Sequence, residues 1–187
     1  MIFTVDWESW FCYRPYSQFW EETDPLVEEP TMYLLDLLRR HQIKAIWYCL
    51  GWLVNRKPQL FLQIKAEGHV IGDHTYFHEY NFPKEMLENH LFRAPRFVGQ
   101  TKLYSGGFWF RALPYKIFLP ILKQSGIMFI HPHDVLLEHP KTGSVIQDFK
   151  RQTGLKTVRD KLERLCREVT FENPVLQSAS SRPVPVL

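Results

Sequence analysis

Gly68-His69-Val70-Ile71-Gly72-Asp73-His74-Thr75-Tyr76-Phe77-His78-Glu79 joins a short apolar run to two histidines four residues apart. The run from His69 to Ile71 reads as a strand that leads into His74. On a helical turn, residues i and i+4 share one face. His74 and His78 placed that way would offer two neutral imidazoles to one cation, as zinc and similar metals require. A strand feeding such a pair sets it at a strand's C-terminal end, where α/β barrels gather their active sites. An isolated HxxxH pattern describes two solvated loop histidines just as well, so its meaning depends on the rest of the chain.

Working outward from this stretch, the same alternation repeats. Ile2 to Val5 is an apolar, β-branched strand that delivers Asp6, Trp7 and Glu8, and two carboxylates past a strand end suit a metal or general-base role. Residues 11 to 28 are aromatic and acidic, with Pro15 and Pro25, and read as a loop. Glu29-Pro30 opens a helix with Leu34, Leu35 and Leu38 as its apolar stripe. Ala45 to Leu50 is a second strand. Asn55 is the expected cap of a helix with Pro58 in its first turn, Leu60, Phe61 and Ile64 inward, and Gly68 at its end. The order β-α-β-α-β predicts a parallel sheet or barrel. Further on, Phe92 to Phe97 holds Arg93 and Arg96, and Ser105-Gly106-Gly107 reads as a flexible loop. Phe108 to Lys123 is helical in part, interrupted by Pro114 and Pro120, and Gly126 stops it. Ile127 to Ile130 is another strand and delivers His131, again at a strand end. Thr157 to Val169 is amphipathic, with Val158, Leu162, Leu165 and Val169 at helical spacing.

Composition narrows the classes. The 187 residues suffice for one domain with a sizeable core. A net charge of +3 is too small to argue for nucleic acid. No apolar stretch reaches the length of a membrane span. The three cysteines, Cys12, Cys49 and Cys166, form no disulfide or zinc-ribbon pattern. Aromatic content is 15%, which fits a sugar-binding cleft but more commonly a core. The start, MIFTVDWESW, lacks the basic and apolar regions of a signal peptide, so a cytoplasmic location is expected. The domain is expected over 1–173, followed by a serine- and proline-rich tail over 174–187.

Taken together, the motifs resemble the NodB-type polysaccharide deacetylases, carbohydrate esterase family 4. Thr4-Val5-Asp6 looks like the first motif, His74-Thr75-Tyr76-Phe77-His78 matches the H-(S/T)-x-x-H metal motif, Arg93-Ala94-Pro95 matches the third, and Phe129-Ile130-His131 resembles the final histidine motif. Asp6-Trp7-Glu8-Ser9-Trp10-Phe11, the segment Gly106 to Tyr115, and His131-Pro132 are similar to the branch associated with exopolysaccharide and exosortase systems. The resemblance implies a distorted (β/α)7 barrel. The spans from His78 to Arg93 and from Pro95 to Gly106 are shorter than in that family, so a reduced barrel, or one with segments missing, is expected.

The same resemblance implies site roles. His74 and His78 would bind a divalent metal, zinc with cobalt or nickel as alternatives, together with a carboxylate from Asp6 or Glu8. Asp6 is favoured as base and Glu8 as ligand. Arg93 would keep the base ionised, and His131 would be the general acid. The substrate implied is an N-acetylated carbohydrate, deacetylated with release of acetate, in association with exopolysaccharide synthesis machinery. Two other readings share the fold: a small-molecule amidase, and a non-catalytic carbohydrate-binding or assembly protein. Ser9 stands where this branch has an aspartate, and His133-Asp134 where it has Trp-Glu.

Overall fold

The computed structural model describes residues 1–14, 17–78 and 105–174. Four strands form its frame: β1 (Ile2–Trp7), β2 (Ile46–Cys49), β3 (Val70–Asp73) and β4 (Ile127–Ile130). They pair in the order β3-β2-β1-β4, and every pair is parallel. The register sets Trp7 beside Cys49, Cys49 beside Asp73, and Val5 beside Ile130. All C-terminal ends therefore open at one edge of the sheet. β1 lies between β2 and β4, and Phe3, Thr4, Val5 and Trp7 are all buried. Burial on both faces explains why a parallel strand reads as an unbroken apolar run rather than an alternating one.

The helices α1 (Gln18–Glu22), α2 (Glu28–Arg40), α3 (Gly51–Arg56), α4 (Pro58–Ala66), α5 (Gly107–Ala112), α6 (Tyr115–Ser125), α7 (Val145–Gln152) and α8 (Leu155–Glu168) cover the sheet and its ends. The leucines of α2, with Leu60, Phe61 and Ile64 of α4 and Val158, Leu162 and Leu165 of α8, are buried as their spacing predicts. Each such side chain taken fully out of water contributes about 1.5–3 kcal/mol before entropy is counted. Trp7 pins β1 to the helix layer. Its Nε1–H donates to Thr31 Oγ1 of α2 at 2.9 Å, and its ring stacks on Phe61 of α4. Pro120 sits inside α6, and Gly126 ends that helix in the left-handed conformation at φ 74°. None of the described helices is long and apolar enough to cross a membrane.

Several local expectations are corrected. Residues 11 to 28 are not all loop: α1 forms there because Trp20 is buried edge-on between Phe11 and Trp52. Asn55 does not cap α4. It lies in the last turn of α3 and donates its amide to Tyr76 Oη at 2.8 Å, while Lys57 occupies the cap position. Ser105-Gly106-Gly107 is not a flexible loop. Ser105 is fully buried and Gly106 bridges to Phe129, so closely that a Cβ on Gly106 would collide with the Phe129 carbonyl. Arg93, with the rest of the Phe92–Phe97 segment, and residues 175–187 of the tail lie outside the described residues.

Candidate metal centre and proton-transfer site

Each strand end contributes one piece of the site. β1 ends at Trp7, where the chain turns tightly: the Glu8 N–H donates to the Asp6 carbonyl at 2.9 Å. Glu8 thus turns inward and is buried, whereas the Asp6 carboxylate keeps 22% exposure. β3 ends at Asp73, whose Oδ1 accepts the Thr75 N–H at 2.9 Å. The segment after it is not helical, against the expectation for His74 and His78. Thr75 and His78 both have φ of 64°, a left-handed conformation uncommon for residues with a Cβ. The first amides of α3 hold that conformation: Gly51 N–H donates to the Thr75 carbonyl at 2.9 Å and Trp52 N–H to the Tyr76 carbonyl at 3.0 Å. A Cβ on Gly51 would stand 2.6 Å from Tyr76 Cδ2, so the close approach requires glycine.

The result is a three-residue cluster. Glu8 Oε2 stands 3.4 Å from His74 Nε2 and 3.0 Å from His78 Nε2. Among the described residues this buried carboxylate oxygen has no partner in hydrogen-bond geometry, these two contacts included. One ligand atom from each of Glu8, His74 and His78 lies within 4.8 Å of the others. Two imidazole nitrogens and one carboxylate oxygen form the donor set of an open catalytic zinc site. These residues therefore fit a divalent ion. Burial works to raise the Glu8 carboxyl, but the imidazoles of His74 and His78, helped by His131, hold it well below the usual carboxylate range. The ligand oxygen is thus ionised, as binding demands.

Opposite this cluster stands His131, just beyond β4. Its Nε2 is 3.7 Å from both Asp6 Oδ2 and Glu8 Oε1. Its Nδ1 is 2.8 Å from Asp134 Oδ2, which also accepts the His131 backbone N–H at 3.0 Å. Asp134 is the third residue of a 3-10 turn over Pro132–Val135, capped by His131, and is 1% exposed. Its other oxygen accepts from Arg111 Nε of α5 at 2.9 Å. Arg111 Nη1 in turn donates to the carbonyls of Thr153 at 2.6 Å and Arg151 at 2.9 Å. Burial works to lower the His131 pKa, but Asp134 above all, with Glu8 and Asp6, pushes it up to about 10. Nε2 faces the two carboxylates. His131, His133 and Asp134 also lie close enough together for a metal. They do not suit one, because Arg111 and His131 already occupy the Asp134 oxygens and the His131 and His133 rings stack at 4.6 Å.

The structure brings together Asp6, Glu8, His74, His78 and His131, five of the six residues singled out from the sequence. Asp134 and Arg111 were assigned no role there. An acid three residues after His131 was the available signal for Asp134. For Arg111 there was none, because its partner is distant in the chain.

Residues 77–176 match the family model described as a domain of unknown function, DUF3473. The chain belongs to the DUF3473 family. Residues 21–100 match a polysaccharide deacetylase model. The polysaccharide deacetylase segment carries His74 and His78, and the DUF3473 segment carries Arg111, His131 and Asp134. Three curated relatives agree with the first match. A peptidoglycan-N-acetylglucosamine deacetylase of Bacillus cereus is 41% identical over 69 residues, 36% of this chain and 32% of that protein. A peptidoglycan-N-acetylmuramic acid deacetylase of Bacillus subtilis is 36% identical over 45 residues, 24% of this chain and 17% of its own. A chitooligosaccharide deacetylase of Rhizobium leguminosarum bv. trifolii is 38% identical over 45 residues, 24% and 21% of the two chains. The aligned segments thus span a third or less of these relatives. No solved structure matches. The family matches and these relatives support a NodB-type polysaccharide deacetylase domain in this DUF3473 member, and its mixed α/β architecture with a parallel sheet is consistent with that fold.

Proposed function

We propose that this protein hydrolyses the N-acetyl group of an amino sugar in a polysaccharide or its precursor, with Glu8, His74 and His78 holding a divalent ion. The observation that carries the reading is the convergence of a buried carboxylate oxygen, without a hydrogen-bond partner among the described residues, and two imidazole nitrogens, facing Asp6 and the His131 ring. The deacetylase relatives supply the substrate class.

An ion there, zinc or in its place cobalt or nickel, supplies Lewis acidity to the acetyl carbonyl and to water. Asp6 is the general base. Its carboxylate, partly open to solvent, takes the proton from the attacking water. His131 is the general acid. Its Nε2–H protonates the departing nitrogen, which would otherwise have to leave as an amide anion. Asp134 accepts Nδ1–H and fixes the ring with Nε2 toward the reacting carbon. The products are acetate and a free amino sugar. Arg93 is assigned to the Asp6 carboxylate, on the strength of the Arg93-Ala94-Pro95 motif. The domain is taken as 1–173, as part of a distorted (β/α)7 barrel, and the exopolysaccharide-associated branch is favoured by Asp6 to Phe11.

The deciding experiment measures bound metal and acetate release from N-acetylated sugar oligomers, for the parent and for His74→Ala/His78→Ala. About one metal equivalent and turnover in the parent, with both lost in the variant, is expected. A parent that takes up no zinc or cobalt would overturn the reading in favour of a non-catalytic role.

A further inference from the structure

Beside the proposed centre lies a cavity of about 290 Å³ that runs from Glu8 and His131 to Trp10, Arg151, Lys150 and His139. Its far wall is unusual. Arg151 is only 8% exposed and has no carboxylate within ion-pair distance among the described residues. Its guanidinium lies over the rings of Trp10 and Tyr13, 4.9 and 5.2 Å from their centroids. Nη2 donates to the Trp10 carbonyl at 3.1 Å, but the buried Nη1 has no hydrogen-bond partner among the described residues. Trp10 Nε1, also buried, has none either. A buried donor left unsatisfied costs about 1–3 kcal/mol, and more when it is charged. Both residues line the cavity, with these two donors just behind its surface, so a small shift of either side chain brings an unsatisfied donor to a ligand acceptor there.

The charges around the cavity agree. Lys150 lines it and is exposed, while Arg111 is committed to Asp134 and to backbone carbonyls. The carboxylate lining the same space, Glu8, is turned toward the proposed metal centre, its Oε2 3.4 and 3.0 Å from His74 and His78 Nε2. His139 must donate its Nε2–H to the His133 carbonyl at 2.7 Å, which leaves the buried His139 Nδ1 as an acceptor without a partner. Anion donors and a hydroxyl acceptor therefore share one space.

We infer that this cavity takes an anionic substituent of the sugar chain, a carboxylate or a phosphate, beside the residue whose acetyl group is removed. Arg151 and Trp10 are the donors, Lys150 is the steering charge, and His139 receives a sugar hydroxyl. The placement beside the reacting residue rests on the deacetylase reading; the anion preference does not.

The test is calorimetric binding at low salt, using the full chain with zinc supplied. The probes are neutral N-acetylchitotetraose and oligosaccharides of equal length that carry a carboxylate or a phosphate ester on one sugar. The parent should bind a charged probe about tenfold more tightly than the neutral one. Arg151→Gln, Trp10→Phe and Lys150→Gln should each shrink that ratio toward one while leaving the neutral probe's affinity unchanged. Lys150→Gln, at an exposed position, keeps the test open if Arg151→Gln fails to fold. Whichever charged probe wins identifies the anion. Equal affinity for all probes, no binding of any, or a preference intact in all three variants would overturn the inference. Acetate release without charge preference would remove the subsite and leave deacetylation standing; preference without acetate release would do the reverse.

Discussion

The two halves of the site face each other across a few ångströms and are built on opposite principles. In the His131–Asp134–Arg111 half both Asp134 oxygens, His131 Nδ1, and Arg111 Nε and Nη1 find protein partners, down to the carbonyls of Arg151 and Thr153. In the Glu8–His74–His78 half a buried carboxylate oxygen makes no hydrogen bond, and two residues hold left-handed backbone. Asp134 is satisfied by the protein alone, whereas the Glu8 oxygen is not among the described residues. Folding selects against unsatisfied buried charge, so a carboxylate oxygen left in that state between two imidazoles marks where something outside the chain belongs.

The sharpest way to break this contrast is to remove the unsatisfied oxygen. Glu8→Ala should strip bound metal, measured by elemental analysis, and lower kcat/KM by roughly a thousandfold or more, since the Lewis acid goes with it. Retained metal after Glu8→Ala, with metal lost in Asp6→Ala, would exchange their roles. The His131 half should behave differently. His131→Ala should leave the metal content unchanged and lower kcat by about 10²–10⁴-fold, the usual share of one general acid. An unchanged kcat would dismiss His131 as the acid.

A third variant separates chemistry from stability. Asp134→Asn leaves Arg111 as a buried charge without its carboxylate, a change that typically costs about 3–5 kcal/mol. Urea unfolding should show that loss, and kcat should fall as His131 loses its fixed orientation. A variant as stable as the parent would mean that the backbone carbonyls alone satisfy Arg111.

The smallest effect lies outside the site. His69 Nδ1 accepts the Ala45 N–H at 3.2 Å, and burial pushes the His69 pKa down to about 4 from 6.5. The unfolded chain therefore binds the proton more readily. This contribution to stability is full above pH 6.5 and falls as pH drops toward 4, by up to roughly 1.4 kcal/mol per pH unit. Unfolding followed across that window should become flatter in His69→Gln.

What the sequence revealed follows from range. Strands buried on both faces announce themselves as apolar runs, and a polar residue just past such a run is placed by the strand itself. That is why Asp6, Glu8, His74 and His131 were legible before any coordinates. The approach of His74 to His78 was expected for the wrong reason, a helical turn, because left-handed Thr75 and His78 depend on amides contributed by α3. The Arg111–Asp134 pair was hidden for the same cause: each looks like an ordinary surface charge until the fold joins α5 to the turn after β4. Asn55 misled because capping preference is local, whereas its actual partner, Tyr76, is not.

The proposed metal ligands come from the ends of β1 and β3, strands that do not pair with each other but flank β2. An ion gripped by Glu8 and His74 would therefore act as a removable cross-link, fastening two distant parts of the chain over the strand between them. Closing such a long loop constrains the unfolded chain in the way a disulfide does. The three cysteines here are free. The ion would thus serve as the molecule's reversible staple, and a chelator would lower the melting temperature as well as stop turnover.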